Sequence, residues 1–304
     1  SDVYKRQPKE LGEYAPQIIY RTVEKPIVRT TGEEEGELSE EYEGDLLMPT
    51  IELSRKVLEK LAGTKVKNGD FQYLKGEVVS EDNGQIKVEI GDTNRPDLWS
   101  VEGISRGLRS YYDLSRGIPK LKVKKSGHKI MVSNNIKNIR PFIAGFIAKN
   151  INVTEELLID MIQIQEKISE NFGKKRKKVS VGIYSYDKIK FPVHYKAIEP
   201  SKIKFIPLEC EDPLDLNDIL EQHPKGIEYG YILKHHKLYP IFIDSQDNVL
   251  SFPPIINSNY LGKVEPGENN LFIEVTGTDI KSVLLVANIL AYAMQDRNAR
   301  IESV

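Results

Sequence analysis

The sequence predicts an α+β fold, with a small N-terminal α/β domain (residues 48–120) followed by a larger mixed-sheet α+β domain (residues 121–304). Segments with strand and helix periodicity follow one another without regular alternation, which argues against a doubly wound parallel sheet. An Asn83-Gly84 pair between two apolar stretches indicates an antiparallel hairpin. Residues 117–125 contain proline and lysine with little periodicity, and we place the domain boundary there.

Caps and turns define the elements of the N-terminal domain. A strand over residues 49–53 leads to Ser54, which is expected to cap a helix that ends at Gly63. Strands over residues 71–80 and 85–90 form the hairpin. A loop over residues 91–97 then precedes a helix over residues 100–112.

The larger domain is predicted from the same signals. Thr154, with two glutamates after it, is expected to cap the first long helix. The predicted helices cover residues 154–172, 213–221 and 278–295. The predicted strands cover residues 129–132, 142–149, 179–184, 231–233, 241–244, 249–252, 271–275 and 300–304.

Residues 1–47 do not have the pattern of a folded domain. Dense acidic clusters at residues 33–35 and 40–43, with few apolar residues around them, favour disorder. We expect a disordered or non-native acidic tail, with Met48 as an alternative start of the native sequence.

Composition limits the classes of function. The net charge of −2 does not attract nucleic acid globally, so any RNA contact requires a local basic patch. The single cysteine, Cys210, excludes an intrachain disulfide and a multi-cysteine zinc site. No signal peptide or membrane-spanning run is visible, and no pair of the five histidines has the spacing of a metal site. We therefore expect a cytoplasmic protein with no membrane association and no metal.

Three short motifs have a structural interpretation of their own. In Asn-Arg-Pro-Asp at residues 94–97, Pro96 favours an extended Arg95, and Asp97 is expected to cap the following helix. In Ser-Phe-Pro-Pro-Ile-Ile-Asn at residues 251–257, two prolines end a strand and fix the loop. Glu274 and Thr276 are two apart on a strand and therefore lie on one face.

A run of five basic residues lies between a helix and a strand. A run of this kind is more often a solvated face, and the alternative is a contact with the phosphates of a nucleic acid. The candidate RNA contacts are Lys174, Lys175, Arg176, Lys177 and Lys178.

Together and in this order, these motifs resemble the N-terminal half of the beta subunit of archaeal-type phenylalanyl-tRNA synthetase, which contains the editing domain. The resemblance covers residues 48–304 and includes residues 92–109, 223–230, 239–245, 250–258 and 275–279. It implies an editing pocket lined by Phe242, Ser251, Glu274 and Thr276. The family pattern has leucine where Phe242 stands and aspartate where Glu274 stands, so this chain departs from it at two of the four places.

The resemblance also implies a reaction, which is hydrolysis of tyrosyl-tRNA(Phe) by a subunit of a phenylalanine–tRNA ligase. Glu274 would accept a hydrogen bond from the substrate phenol or, alternatively, from its ammonium group. Ser251 and Thr276 would orient the ester or a water, and Phe242 would pack on the aromatic ring. No catalytic residue is assigned, and water activation by positioning is expected.

The implied partners are an alpha subunit, in an α2β2 enzyme, and tRNA(Phe). No cofactor is expected in this part of the subunit, because ATP and magnesium belong to the synthetic site of the complete enzyme. The alternative is a non-catalytic module, derived from the editing domain, that binds RNA or an amino acid.

Overall fold

A computed structural model describes residues 49–117 and 119–304 and has the α+β architecture that the sequence predicts. The expected tail, residues 1–47, lies outside the described residues. The helices are α1 (Arg55–Ala62), α2 (Val101–Tyr111), α3 (Glu155–Lys167), α4 (Leu216–Gln222), α5 (Pro224–Tyr229) and α6 (Ile280–Asp296). The strands are β1 (Thr50–Ser54), β2 (Gly76–Asp82), β3 (Gln85–Ile90), β4 (Val123–Lys125), β5 (Ile130–Val132), β6 (Phe142–Lys149), β7 (Val179–Ser185), β8 (Val193–Ile198), β9 (Lys204–Phe205), β10 (Leu214–Asp215), β11 (Tyr239–Ile243), β12 (Val249–Phe252), β13 (Ile256–Asn257), β14 (Asn270–Gly277) and β15 (Arg300–Ser303).

Two five-stranded sheets form the centre of the larger part. The first, here called the central sheet, has the strand order β4-β15-β6-β14-β7. The second, here called the outer sheet, has the order β13-β12-β11-β8-β5. The N-terminal part contains a three-stranded sheet with the order β1-β3-β2, and β9 and β10 form a two-stranded sheet.

The N-terminal helices begin at the predicted residues. Ser54 accepts a hydrogen bond from the backbone N–H of Val57, and Gly63 ends α1 with a left-handed φ of 74°. Ser100 caps α2 by accepting from the N–H of Gly103. The expected cap by Asp97 is wrong, because its carboxylate accepts from the guanidinium of Arg95 at 2.8 Å instead.

The loop at residues 94–97 lies directly against the first turn of α2. A Cβ atom built on Gly103 would stand 1.6 Å from the backbone oxygen of Asp97. Only glycine therefore permits this approach. The motif orders the loop on the helix, which is the structural role that the sequence indicated.

One predicted strand is wrong, a second begins later than predicted, at Gly76, and five strands were not predicted. Residues 71–74 belong to a 3-10 helix, Asn68–Leu74, in which the Asp70 carboxylate accepts from the N–H of Lys67 at 2.8 Å. Residues 231–233 fall in and just after another 3-10 helix, Gly230–Ile232, which continues α5. β4 lies at the expected domain boundary, and β10 overlaps the start of the helix predicted over residues 213–221. β8, β9 and β13 lie where no element was predicted.

The two faces of the central sheet have different coverings. On one face, α3 and α6 pack on apolar side chains such as Val181, Ile273 and Val275. The outer sheet covers the other face, through a buried cluster that includes Tyr184, Phe242 and Phe272. α4 and α5 cover the far face of the outer sheet. The part of the chain described here contains no helix with the length and apolarity needed to cross a bilayer.

The N-terminal elements share a core with the larger part. One continuous hydrophobic cluster includes Leu58 and Leu108 from the first 120 residues and Val286 and Leu290 of α6. Ion pairs add to this contact, as Arg106 on α2 bonds to the carboxylate of Asp296 at 2.7 Å. The N-terminal part is therefore packed against the helical face of the central sheet.

Candidate functional site

Strand register brings the four predicted pocket residues into the space between the two large sheets. Phe242 on β11 pairs directly with Ser251 on β12, so both side chains lie on the face of the outer sheet that meets the central sheet. Glu274 and Thr276 lie on the opposing face of β14. The exposed fraction of each of the four residues is 2% or less.

Glycines flank Glu274 on both neighbouring strands. Gly145 on β6 and Gly182 on β7 are its direct cross-strand partners. A Cβ atom on Gly182 would stand 2.2 Å from the hydroxyl of Tyr184 and 2.6 Å from Oε1 of Glu274. The missing side chain is what allows Tyr184 to reach back along β7 to the carboxylate.

The two carboxylate oxygens of Glu274 have different environments. Oε1 lies 2.9 Å from the hydroxyl oxygen of Tyr184, which lies 2.8 Å from Oγ of Ser251. Oε2 is buried and has no hydrogen-bond partner. Burial raises the pKa of Glu274 to about 7, against the opposing effects of the Tyr184 hydrogen bond and the positive charge of Arg140.

Arg140, just before β6, is a fully buried cation behind the site. Its Nε donates to Oγ1 of Thr276 at 2.9 Å, and its Nη2 donates to Oγ of Ser180 at 3.0 Å and to the carbonyl of Thr276 at 2.8 Å. Burial lowers the pKa of Arg140 to about 10, and the negative charge of Glu274 opposes that shift. The hydroxyl of Thr276 is therefore held by the protein itself.

A small pocket of about 90 Å³ opens beside these residues. Its lining includes Ser180, Ser251, Glu274, Arg176, Lys225 and the loop at residues 252–257. Phe242 and Thr276 do not line it and form the layer behind it. The peptide bond between Pro253 and Pro254, in this loop, is cis.

The basic run does not present one continuous charged surface. Lys174, Lys175 and Lys177 are exposed, whereas the Arg176 side chain turns inward. Its Nη1 donates to the carbonyl of Ile255 at 2.8 Å, and its guanidinium lies 4.1 Å from the ring centroid of Tyr229. Arg176 thus contacts the pocket loop.

Backbone conformation explains the inward turn. Lys174, Lys175 and Arg176 have successive left-handed φ values of 51°, 51° and 64°. Lys178 returns to the strand direction, with Nζ 4.0 Å from the carboxylate of Asp279. The tight turn therefore leaves the lysines at 174, 175 and 177 exposed to solvent and directs the Arg176 side chain toward the pocket.

The sequence did not single out Tyr184, Ser180 or Arg140. Alternation along β7 places Ser180, Gly182 and Tyr184 on one face, and that signal was present. Their pairing with β14 depends on register, which no local pattern gives. Arg140 lies outside any motif, so its role becomes visible only in the folded chain.

The histidines take no part in this pocket. His223 is buried and caps α5, and His128 stacks on Phe191 with ring centroids 4.2 Å apart. Within residues 49–117 and 119–304, no group of three or more histidine, cysteine, aspartate or glutamate side chains is arranged to hold a metal ion.

Comparison with known proteins gives several relatives. No protein-family model matches the chain. The phenylalanine–tRNA ligase beta subunit of Pyrococcus abyssi is 42% identical over 265 residues, which are 84% of this chain and 48% of that protein. The beta subunit of Borreliella afzelii is 39% identical over 267 residues, or 84% and 47%. The chain therefore spans about half the length of the curated relatives it matches.

A solved structure agrees with these relatives. The crystal structure of an N-terminal fragment of the phenylalanyl-tRNA synthetase beta subunit from Pyrococcus horikoshii is similar, with a TM-score of 0.81 and 41% identity. The match covers 84% of this chain and 76% of that fragment. Fold, identity and coverage agree with the order of motifs along the sequence. The chain belongs to the family of phenylalanyl-tRNA synthetase beta subunits and corresponds to their N-terminal part.

Proposed function

We propose that the pocket between the two large sheets is an editing site that hydrolyses tyrosine from mischarged tRNA(Phe). The observation that carries this proposal is the buried Oε2 atom of Glu274, which has no partner and belongs to a residue that lines the pocket with Ser251. A buried acceptor without a donor is costly, so a ligand that supplies a donor there is favoured.

Recognition of tyrosine follows from this chemistry. A hydrophobic synthetic site cannot strongly reject a substrate that merely adds a hydroxyl group. A second site with a buried acceptor can select the tyrosyl ester, because phenylalanine leaves that acceptor unpaired at a cost of about 1–3 kcal/mol. Glu274 would take this role toward the phenol or, alternatively, toward the substrate ammonium.

The other predicted residues differ in whether they line the pocket or lie behind its wall. Ser251 lines the pocket and would orient the ester or a water. Phe242 lies edge-on to Tyr184, with ring centroids 6.1 Å apart, so its contact with a substrate ring would require the pocket to widen. Arg140 donates a hydrogen bond to Thr276, and Oγ1 of Thr276 lies 3.1 Å from Oγ of Ser180. Thr276 would therefore act on a ligand through Ser180.

Hydrolysis requires a positioned water. A carboxylate whose pKa is about 7 can accept a proton near neutral pH, so Glu274 has the properties of a general base as well as those of a recognition group. Ser251 would position the water, with help from the terminal ribose hydroxyl of the tRNA. This positioning would provide the remaining rate acceleration.

The exposed lysines of the basic run would contact the tRNA backbone. Lys174, Lys175 and Lys177 are exposed, and they flank Arg176, which binds the pocket loop. Phosphate contacts there would bring the acceptor end to the pocket. Lys178 already forms an ion pair with Asp279, and Arg176 already donates to backbone carbonyls. We therefore expect the three exposed lysines to contribute most to tRNA binding.

The complete enzyme would supply the remaining parts. We propose that the chain acts with an alpha subunit in an α2β2 phenylalanine–tRNA ligase in the cytoplasm. ATP and magnesium would bind at the synthetic site, outside this chain. The chain's own contribution would be removal of the wrong ester, which lies downstream of amino-acid activation.

Deacylation of tyrosyl-tRNA(Phe) tests the proposal directly. The purified chain, and the reconstituted α2β2 enzyme, should hydrolyse the tyrosyl ester faster than the phenylalanyl ester. Glu274→Gln should reduce tyrosyl-ester hydrolysis roughly 10- to 100-fold, because a hydrogen bond to a charged group is lost. The matched control is Glu302→Gln, a buried glutamate on β15 of the same sheet, which should leave the rate unchanged. Absence of hydrolysis in both preparations would exclude editing.

A second candidate is a non-catalytic module that binds RNA or an amino acid. It is favoured by the position of Phe242 and Thr276, which stand behind the pocket rather than in its wall. Equilibrium dialysis with L-tyrosine and gel-shift with tRNA(Phe) separate the two candidates. Binding without any deacylation in the α2β2 enzyme would favour this module.

A further inference from the structure

Tyr184 links the two sheets at the centre of the site. It lies on β7 opposite Phe272, is fully buried, and packs against the rings of Phe242 and Phe272. Its hydroxyl reaches over Gly182 to Glu274 on the next strand and to Ser251 on the outer sheet. Such a bridge fixes the relative positions of two pocket residues that belong to different sheets.

The number of protons available decides which group donates in the hydrogen bond between Tyr184 and Glu274. A phenol has one proton, and an ionised carboxylate only accepts. The Tyr184 hydroxyl has two acceptors within reach, Oε1 of Glu274 at 2.9 Å and Oγ of Ser251 at 2.8 Å. When Glu274 is ionised, its charged oxygen is the stronger acceptor of the two. The single phenolic proton is then directed to Glu274.

The bridge also makes the two oxygens of Glu274 unequal. Oε1 is occupied by Tyr184, and Oε2 is buried with no partner. Rotation of the carboxylate would break the bond to Tyr184, which packing between the sheets holds in place. One oxygen is thereby fixed as the free acceptor.

We propose that Tyr184 is a positioning residue of this pocket, because its hydroxyl holds one oxygen of Glu274 and leaves the other as the acceptor offered to a ligand. Identification of that ligand as the tyrosyl ester rests on the function proposed above. The geometry of the bridge does not depend on it.

Other charged and titratable groups face the same carboxylate. Arg140 stands behind it, and its charge lowers the pKa of Glu274, as the Tyr184 hydrogen bond also does. Removal of the Tyr184 hydroxyl should therefore raise the pKa of Glu274 further, while the charges around the pocket stay the same. The groups around the site are Arg140, Arg176, Lys225, Tyr184 and Tyr195.

The first test is a titration that does not require catalysis. Carbon-13 NMR of glutamate-labelled chain follows the carboxyl of Glu274, with its signal assigned by comparison with Glu274→Gln. Tyr184→Phe should move the midpoint to higher pH. Tyr195→Phe is the matched control, because it removes an equally buried hydroxyl that donates to the carbonyl of Arg140 at 2.9 Å and should leave the midpoint unchanged.

The second test measures discrimination in the α2β2 enzyme. The ratio of tyrosyl to phenylalanyl ester hydrolysis should fall roughly tenfold or more in Tyr184→Phe and stay constant in Tyr195→Phe. An unchanged midpoint, or an unchanged ratio in an active enzyme, overturns the proposal. If the wild-type enzyme hydrolyses neither ester, the proposed function fails, and the titration alone decides whether Tyr184 positions Glu274.

Discussion

The carboxylate of Glu274 must satisfy two opposing requirements. Recognition or proton transfer requires its ionised form, whereas burial favours its neutral form. Its pKa of about 7 is the outcome of that competition. Activity that needs ionised Glu274 should rise with pH through about 7, and a pH–rate profile of tyrosyl-ester hydrolysis would show this, after subtraction of spontaneous hydrolysis.

The same carboxylate should make stability depend on pH. The folded-state pKa of about 7 exceeds the ordinary value of 4.5, so protonation contributes stability that is complete below about pH 4.5 and is lost as the pH rises through about 7. Glu274→Gln should therefore stabilise the fold at pH 8 by about 1–3 kcal/mol and have little effect at pH 4.5. Urea unfolding at the two pH values measures the difference. An equal change at both would contradict the argument.

Some residues of the candidate site were predicted from the sequence, and others were not. Phe242, Ser251, Glu274 and Thr276 were implied by the resemblance to the synthetase beta subunits, and the fold places them within one region. The sequence could not separate the residues that line the pocket from those behind it, because depth depends on how two sheets pack. Tyr184 was missed because its partner strand is about 90 residues away.

At the level of elements, the contact between Gly103 and Asp97 explains why a short motif precedes α2. Gly103→Ala would force a Cβ atom against backbone, which cannot move without displacing the loop. We expect a loss of roughly 3 kcal/mol or more in unfolding free energy.

Gly107→Ala is the matched control for that substitution. It lies one turn further along α2, where the new Cβ meets only the end of the Leu74 side chain. Because alanine favours the helix by about 1 kcal/mol, the net change should stay within about 1 kcal/mol. Chemical denaturation of both variants tests the pair, and equal losses would mean that the loop contact is unimportant.

Local signals predicted most elements, and the exceptions have physical causes. The predicted caps Ser54 and Thr154 are confirmed, and α2 begins where its helix was predicted, although Ser100 rather than Asp97 is its cap. Residues 71–74 are aromatic-rich and favoured a strand, but the local bond from Lys67 to Asp70 stabilises a 3-10 turn. β4 is short and lysine-containing, and it pairs with β15, which lies far along the chain and which no local pattern indicates.

At the scale of the whole molecule, one arginine connects three elements. Arg297, at the end of α6, donates to Glu102 of α2 at 2.6 Å and also to Asp160 of α3. All three side chains are largely buried. Burial and the neighbouring Glu102 raise the pKa of Asp160 to about 6, even beside the guanidinium.

Removal of this arginine should destabilise the fold strongly. Arg297→Met leaves two buried carboxylates without a cation, at a cost of about 3–5 kcal/mol at pH 7. The loss should be smaller at pH 5, where Asp160 is protonated. Thermal unfolding at both pH values checks this, with Arg300→Ala, a partly exposed ion pair on β15, as the control expected to change stability by less than about 1 kcal/mol. A pH-independent loss would contradict the prediction.

The core shared between α2 and α6 has a consequence for synthesis of the chain. The N-terminal strands and helices are synthesised before α6. The ion pair of Arg106 cannot form until Asp296, 190 residues later, has been added to the chain. At translation rates of about 5–20 residues per second, that interval is about 10–40 s. During that interval, α2 has its packing partners in the N-terminal part, such as α1, but lacks α6. The side of α2 that later meets α6 is therefore the apolar surface that the nascent chain leaves exposed until α6 is made.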